Sequence, residues 1–279
     1  MRATPLHIRI ATPLQLINPL IAQITLLPMQ EPIEPIVLIG GFGSHWSDYQ
    51  RGARLLANVS GRRVFIAGIT RASWLVGGVT NYSPLVDRAH NAIAHALKET
   101  GAEKVVIVGH SAGGIVGRAY LGDQKIKPHQ LSYRGYERVS RLYMLGSPLR
   151  EVGSVVQQGM RATSWVDRTY PGAYFADKGV QYLNVRGKLV KGKEDGTLRE
   201  RQAFVNYQFV SGTGRQWGDG VVPLALSELD GATTLTLEGV GHSPTWEPWF
   251  FANENTVRSW WSYFDLGDAP TMGWEQMVV

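Results

Sequence analysis

The sequence predicts an α/β protein with a mostly parallel central sheet flanked by helices. Two observations carry this. Short runs of β-branched and apolar residues alternate with amphipathic stretches of helical spacing along most of the chain, the pattern that covers a parallel sheet with helices on both faces. Glycine-rich turns follow the ends of the apolar runs, and in such sheets ligands bind beyond the carboxyl ends of the strands. The 279 residues suffice for one large domain with insertions, and 1–279 reads as a single domain.

Taken in order, the apolar stretch Leu14 to Leu27 is broken by Asn18, Pro19, Gln23 and Thr25. It is too short and interrupted to span a bilayer and lacks the basic start and cleavage site of a secretory signal. It reads as a first strand or helix at the domain edge, and the chain as cytoplasmic or peripheral to a membrane. Ile36 to Ile39, ending in Gly40-Gly41, is a buried strand. Ser47 to Val59 has helical spacing with Ser47 as N-cap, and Arg63 to Ala67 is a second strand. Pro84 to Glu99 is a helix opened by Ser83-Pro84 and closed by Gly101. Val105 to Val108 is a third strand and Ala112 to Leu121 the helix after it. Val139 to Leu145, Val180 to Val185, Tyr207 to Val210 and Thr233 to Leu237 are further strands, and Thr256 to Phe264 is a closing helix.

Two insertions break the alternation. Residues 149–179, rich in Trp165, Tyr170, Tyr174 and Phe175, suit a lid over a site at the strand ends. Residues 187–205 carry Lys188, Lys191, Lys193, Arg199 and Arg201 among Glu194, Asp195 and Glu200 and read as a solvated surface hairpin or loop. Peripheral contact with anionic lipid headgroups is the second reading of that stretch. The net charge of +5 comes with no basic helix interleaved with aromatics, so no nucleic-acid partner is expected. The chain has no cysteine, which excludes disulfides, thiolate catalysis and cysteine-held metals.

The chemistry centres on Gly109-His110-Ser111-Ala112-Gly113, a G-x-S-x-G motif between a strand and a helix. That context raises one serine on a sharp turn at the sheet's edge, with glycines where the turn leaves no room for a Cβ. A serine hydroxyl needs a base, usually a histidine held in one tautomer by a carboxylate. Of the seven histidines, His242 in Gly239-Val240-Gly241-His242 lies after the last strand, in the chain order Ser, acid, His. Asp219, between two glycines, is the candidate acid, and Asp230 in Leu229-Asp230-Gly231 is its rival as the acid or the base of an Asx turn. The oxyanion of an attacked carbonyl needs N–H donors: Ala112, after the serine, and Phe42 in the loop Gly40 to Ser44. That loop lacks the G-K-[ST] ending of a P-loop and the spacing of a dinucleotide fingerprint.

The blocks Gly40 to Gly43, Gly109 to Gly113, Gly218 to Pro223 and Leu229 to His242 resemble those of α/β-hydrolase lipases and esterases, including small bacterial lipases. Gly109 to Gly114, Leu145-Gly146-Ser147-Pro148, Pro171-Gly172-Ala173-Tyr174 and Trp217 to Pro223 are similar to the plant and cyanobacterial group named after the GPI inositol-deacylase, over roughly 36–250. The resemblance implies the α/β-hydrolase fold, ester hydrolysis, and a triad of Ser111, Asp219 and His242. Many lipases carry His-Gly where this chain has Gly40-Gly41, so the hydrogen bond of that histidine is missing.

The leading expectation is a serine carboxylic-ester hydrolase acting on hydrophobic or lipid esters, with neither cofactor nor metal. Trp165, Trp217, Trp246 and Trp249 are candidates for an apolar acyl pocket, with core or rim packing as the alternative. Acyl transfer to a lipid alcohol, and ligand binding without catalysis, are the competing functions.

Overall fold

The computed structural model describes residues 33–78, 82–126, 132–150 and 161–265. Its strands are β1 (Ile36–Ile39), β2 (Val64–Ile66), β3 (Val105–His110), β4 (Val139–Leu145), β5 (Gln181–Lys188), β6 (Val190–Lys191), β7 (Trp217–Gly218) and β8 (Thr233–Glu238). The main helices are α1 (Gln50–Ser60), α2 (Ser83–Thr100), α3 (Ala112–Leu121), α4 (Arg161–Thr169), α5 (Leu198–Ser211) and α6 (Glu254–Asp265). Six strands form one sheet in the order β2-β1-β3-β4-β5-β8, all pairs parallel, while β6 and β7 make a small antiparallel ribbon beside it. This is the α/β-hydrolase fold, with a parallel sheet covered on both faces.

Alternation within each strand sorts the core into two layers. Val37, Ile39, Val105, Ile107, Leu142 and Met144 pack with α2 and α3. Ile36, Leu38, Val106, Val108, Tyr143 and Leu145 point the other way, into a cluster holding Leu56 of α1 and Val257, Trp260 and Trp261 of α6. Strands buried on both faces must be apolar throughout, which is why β1 and β3 read as unbroken runs. Each such side chain contributes about 1.5–3 kcal/mol by leaving water. Caps bound the helices as expected: α2 starts at Ser83-Pro84 and ends at Gly101, φ 71°.

Three local expectations are corrected. Ser47 is not an N-cap; a 3-10 turn Trp46–Tyr49 precedes α1, and His45 caps it by accepting the Ser47 N–H at 3.3 Å. Tyr207 to Val210 is not a strand but the last part of α5, whose capping box pairs Thr197 with Glu200. The basic stretch 187–205 is therefore the end of β5, the β6 hairpin strand and the first half of α5. The Leu14 to Leu27 stretch lies outside the described residues, as does 151–160 of the segment read as a lid; no described helix is long and apolar enough to cross a membrane.

Arg118 of α3 is buried, yet charged. It donates to the Leu149 carbonyl at 3.1 Å and the Tyr170 carbonyl at 2.6 Å and lies 3.6 Å from an Asp167 carboxylate oxygen. One guanidinium thus ties two points of the excursion between β4 and β5, Leu149 and Tyr170, to the helix that follows Ser111. Its fork geometry suits two carbonyls at once, which a lysine would not match.

Candidate active site

Ser111 follows β3 and stands at the N-cap position of α3 with φ 54° and ψ −127°. A non-glycine residue held there stores roughly 1–3 kcal/mol of strain, so its surroundings must enforce it. They do so by close approach. The Ser111 N–H donates to the Leu145 carbonyl at 2.8 Å. A Cβ on Gly109 would stand 2.5 Å from the Gly114 nitrogen, and one on Gly113 would stand 2.7 Å from the Gly40 carbonyl oxygen and overlap that of Ile39. These obstacles are backbone and cannot swing away. Gly113→Ala is expected to cost more than ~3 kcal/mol through overpacking, measured by urea unfolding; a loss below ~1 kcal/mol would contradict this packing.

Asp219 and His242 arrive from loops after β7 and β8. His242 Nδ1 donates to Asp219 Oδ2 at 2.7 Å, and both side chains are buried. Because a carboxylate only accepts, the imidazole proton sits on Nδ1 and Nε2 keeps its lone pair. The other oxygen, Oδ1, accepts the N–H groups of Val221 at 3.0 Å and Val222 at 2.7 Å, and the His242 N–H donates to the Asp219 carbonyl at 2.9 Å. Two features that sequence reasoning missed make this possible. Gly146, φ 56°, leaves space where a Cβ would lie 2.7 Å from Asp219 Oδ2 and 3.2 Å from His242 Nδ1. The second half of α5, just after the stretch read as a solvated insertion, buttresses the turn at Asp219: Tyr207 Oη accepts the Gly220 N–H at 2.9 Å and donates to the Val190 carbonyl at 3.0 Å, while Asn206 donates to the Gly220 carbonyl at 2.7 Å. Asp230 is elsewhere, its exposed carboxylate paired with Arg150 at 2.8 Å.

The loop after β1 reaches the same place. Ser44 donates to the Gly41 carbonyl through its N–H at 3.2 Å and its hydroxyl at 2.6 Å, and Gly43 at φ 71° supplies the positive angle of a type II turn. A Cβ on Gly41 would sit 2.9 Å from that of Ser111. Among the described residues, no protein acceptor takes the Phe42 or Ala112 N–H. Where the lipase histidine's hydrogen bond is missing, Tyr49 braces the loop instead, its hydroxyl accepting the Gly41 N–H at 2.8 Å. Its ring fills the volume above Gly40, where a Cβ would come to 2.5 Å from Tyr49 Cε2. A side chain at position 40 and this tyrosine exclude each other.

His110, beside the serine, is enclosed by Tyr49, Trp249, Phe250 and Phe251, with its ring centroid 4.9 Å from that of His242. Burial, helped by the neighbouring His242 ring, pushes its pKa down from 6.5 to about 3, against the opposing pull of its hydrogen bond to the His242 carbonyl. The unfolded chain takes up this proton near 6.5 and the folded chain near 3, so between them the unfolded state binds more protons and stability falls as pH drops. At pH 5 the loss amounts to about 2 kcal/mol. Urea unfolding at pH 7 and pH 5 checks this: His110→Gln should lose less stability over that interval than the wild type, and an equal loss would contradict it.

The tryptophans divide. Trp246 is buried beneath Gly220 in a small cluster with Val190, Ala203 and Tyr207, and Trp249 lies in the core against His110. Trp165 on α4 meets Tyr170 edge-on at 5.8 Å. Trp217 is half-exposed, with the Lys188 ammonium 5.4 Å from its ring centroid. On the oxyanion loop the Phe42 ring meets Trp74, which the sequence did not single out, edge-on at 5.6 Å, and Leu75 and Val76, which follow Trp74, are 75% and 70% exposed.

No curated protein matches the chain by sequence. Among solved structures, a Listeria innocua gene product is 16% identical, with 87% of this chain and 96% of that one covered and a TM-score of 0.46. An alpha-beta serine hydrolase homologue from Coxiella burnetii is 12% identical, covering 83% and 85% at a TM-score of 0.43. The 2-hydroxy-6-oxo-6-phenylhexa-2,4-dienoate hydrolase of Rhodococcus sp. strain RHA1 is 15% identical, covering 77% and 86% at 0.44. The family model for the alpha/beta hydrolase family matches residues 36–254, the span that contains the elbow, both loops and the buried Asp–His pair, and the chain belongs to that family.

Proposed function

We propose that this protein is a serine carboxylic-ester hydrolase that cleaves hydrophobic esters through an acyl-enzyme. The observation that carries the reading is the buried His242–Asp219 hydrogen bond of 2.7 Å, together with a serine held at φ 54° whose chain neighbour His110 bonds the His242 carbonyl at 2.8 Å. In the first step His242 Nε2 takes the Ser111 hydroxyl proton as Oγ attacks the ester carbonyl. The Ala112 and Phe42 N–H groups receive the developing oxyanion. Collapse expels the alcohol, protonated by His242, and leaves the acyl group on Oγ. Water, deprotonated by the same imidazole, then releases the acid. Asp219 holds the tautomer and stabilises the imidazolium.

The hydrophobic substrate class is supported by the exposed ring of Phe42 on the oxyanion loop, packed edge-on against Trp74, and by the exposed Leu75 and Val76 that follow Trp74, since exposed apolar surface marks ligand or membrane contact. The similarity of Gly109 to Gly114 and Trp217 to Pro223 to the GPI inositol-deacylase group is in keeping with a lipid ester. In this reading 149–179 forms the cover of the site.

The test is intact mass after incubation with a fluorophosphonate, followed by a p-nitrophenyl ester series from C2 to C16. One adduct per chain, located on Ser111, with turnover rising beyond C4, supports the reading. Absence of any adduct overturns it in favour of a ligand-binding protein, and transfer to an added lipid alcohol in preference to water would make it an acyltransferase.

A further inference from the structure

We infer that Tyr49 and His110 form a buried positioning relay that couples the oxyanion loop to the backbone of His242. This rests on the serine-hydrolase reading and adds two residues that touch none of the reacting atoms in it.

The relay has three bonds. Gly41 N lies 2.8 Å from Tyr49 Oη, Tyr49 Oη lies 2.7 Å from His110 Nδ1, and His110 Nε2 lies 2.8 Å from the His242 carbonyl oxygen. Its ends set the direction of every proton. The Gly41 N–H can only donate, and the His242 carbonyl can only accept. His110 therefore carries its proton on Nε2. Its neutral ring presents a lone pair at Nδ1, so the Tyr49 O–H donates there and the Tyr49 oxygen accepts from Gly41. One proton arrangement satisfies all four groups without a water.

The surroundings keep that arrangement in place. Burial pushes the Tyr49 phenol up to about 12 and His110 down to about 3, so neither charges near neutral pH. The aromatic wall around His110 excludes competing partners, and in such a setting an unpaired polar group is costly. The consequence is mechanical. Gly41 precedes the Phe42 N–H, and His242 carries the base. The relay spaces the oxyanion donor and the base against each other through a rigid pair of rings from α1's leading turn and β3. A direct oxyanion donor is worth 10²–10³ in kcat; a group that only positions one should be worth less.

The experiment uses the full chain. Tyr49→Phe keeps the ring and removes the hydroxyl; His110→Phe keeps an aromatic ring in the same enclosure and removes both the acceptor for Tyr49 and the donor to the His242 carbonyl. Each is expected to lower kcat on a p-nitrophenyl ester by about 10- to 100-fold, with KM within about twofold and the far-ultraviolet circular dichroism unchanged. The double variant should be no slower than the slower single, because either change breaks the same relay. Independent, multiplicative losses, or a rise in KM at constant kcat, would overturn the relay. Nitrogen-15 NMR of the unaltered protein is decisive even where a variant does not fold: His110 must be neutral with its proton on Nε2, and the Nδ1–H tautomer would overturn the inference. An unaltered protein that neither labels with a fluorophosphonate nor cleaves esters sinks both readings, whereas labelling with unimpaired variants sinks the relay alone.

Discussion

Replacing Ser111 with alanine is expected to lower kcat on a p-nitrophenyl ester by roughly 10⁵- to 10⁶-fold, and to abolish the fluorophosphonate adduct. The size follows from the unit character of the site: without Oγ there is no acyl-enzyme, and what remains is the contribution of the oxyanion donors and binding. The fold should survive. Ser111 makes no side-chain hydrogen bond among the described contacts, and its place is held by backbone, through the Leu145 carbonyl and the glycines around it. Alanine has the same Cβ and suffers the same positive φ, so the thermal midpoint should move by little. Initial rates and mass spectrometry on both proteins check this. A variant retaining more than about a thousandth of wild-type turnover would remove Ser111 from the nucleophile's role.

Asp219→Asn is expected to lower kcat by roughly 10⁴-fold. The carboxylate now accepts from His242 and from two backbone N–H groups. An amide can keep its carbonyl on Val221 and Val222, but then its NH₂ faces His242 Nδ1. That nitrogen must become the acceptor, which moves the ring's proton to Nε2, where the base is needed. The loss should therefore fall on kcat and shrink at high pH, where hydroxide can replace the base. An unchanged rate would point to a different acid, although Asp230 is engaged with Arg150.

Much of this arrangement is legible in the sequence because its signals are local. The unbroken apolar run Val105 to Val108 followed by Gly-His-Ser-Ala-Gly can be read at a glance, since a strand buried on both faces and a glycine-packed elbow each need a fixed residue type at a fixed offset. Tyr207-Gln208-Phe209-Val210 misleads because its β propensity is overridden by a helix started ten residues earlier, at the Thr197 cap. The basic residues nearby conceal a supporting role, as charge speaks of the solvent side and not of Tyr207 beneath. Tyr49 and His110 stand 61 residues apart, and no pattern within either segment announces the other. The same holds for Gly146, whose missing side chain matters only once Asp219 and His242 have converged on it.

The clamp made by Arg118 has an evolutionary reading. With Leu149 and Tyr170 both tied to one guanidinium on α3, the chain between them starts and finishes at fixed points beside the elbow. Lengthening a loop closed at two fixed points costs little, about 0.6 kcal/mol for each doubling, whereas Ala162 and Val166 of α4 are held in the core. Sequence change in that loop can then accumulate while the sheet, the elbow and the Asp–His pair are inherited unchanged.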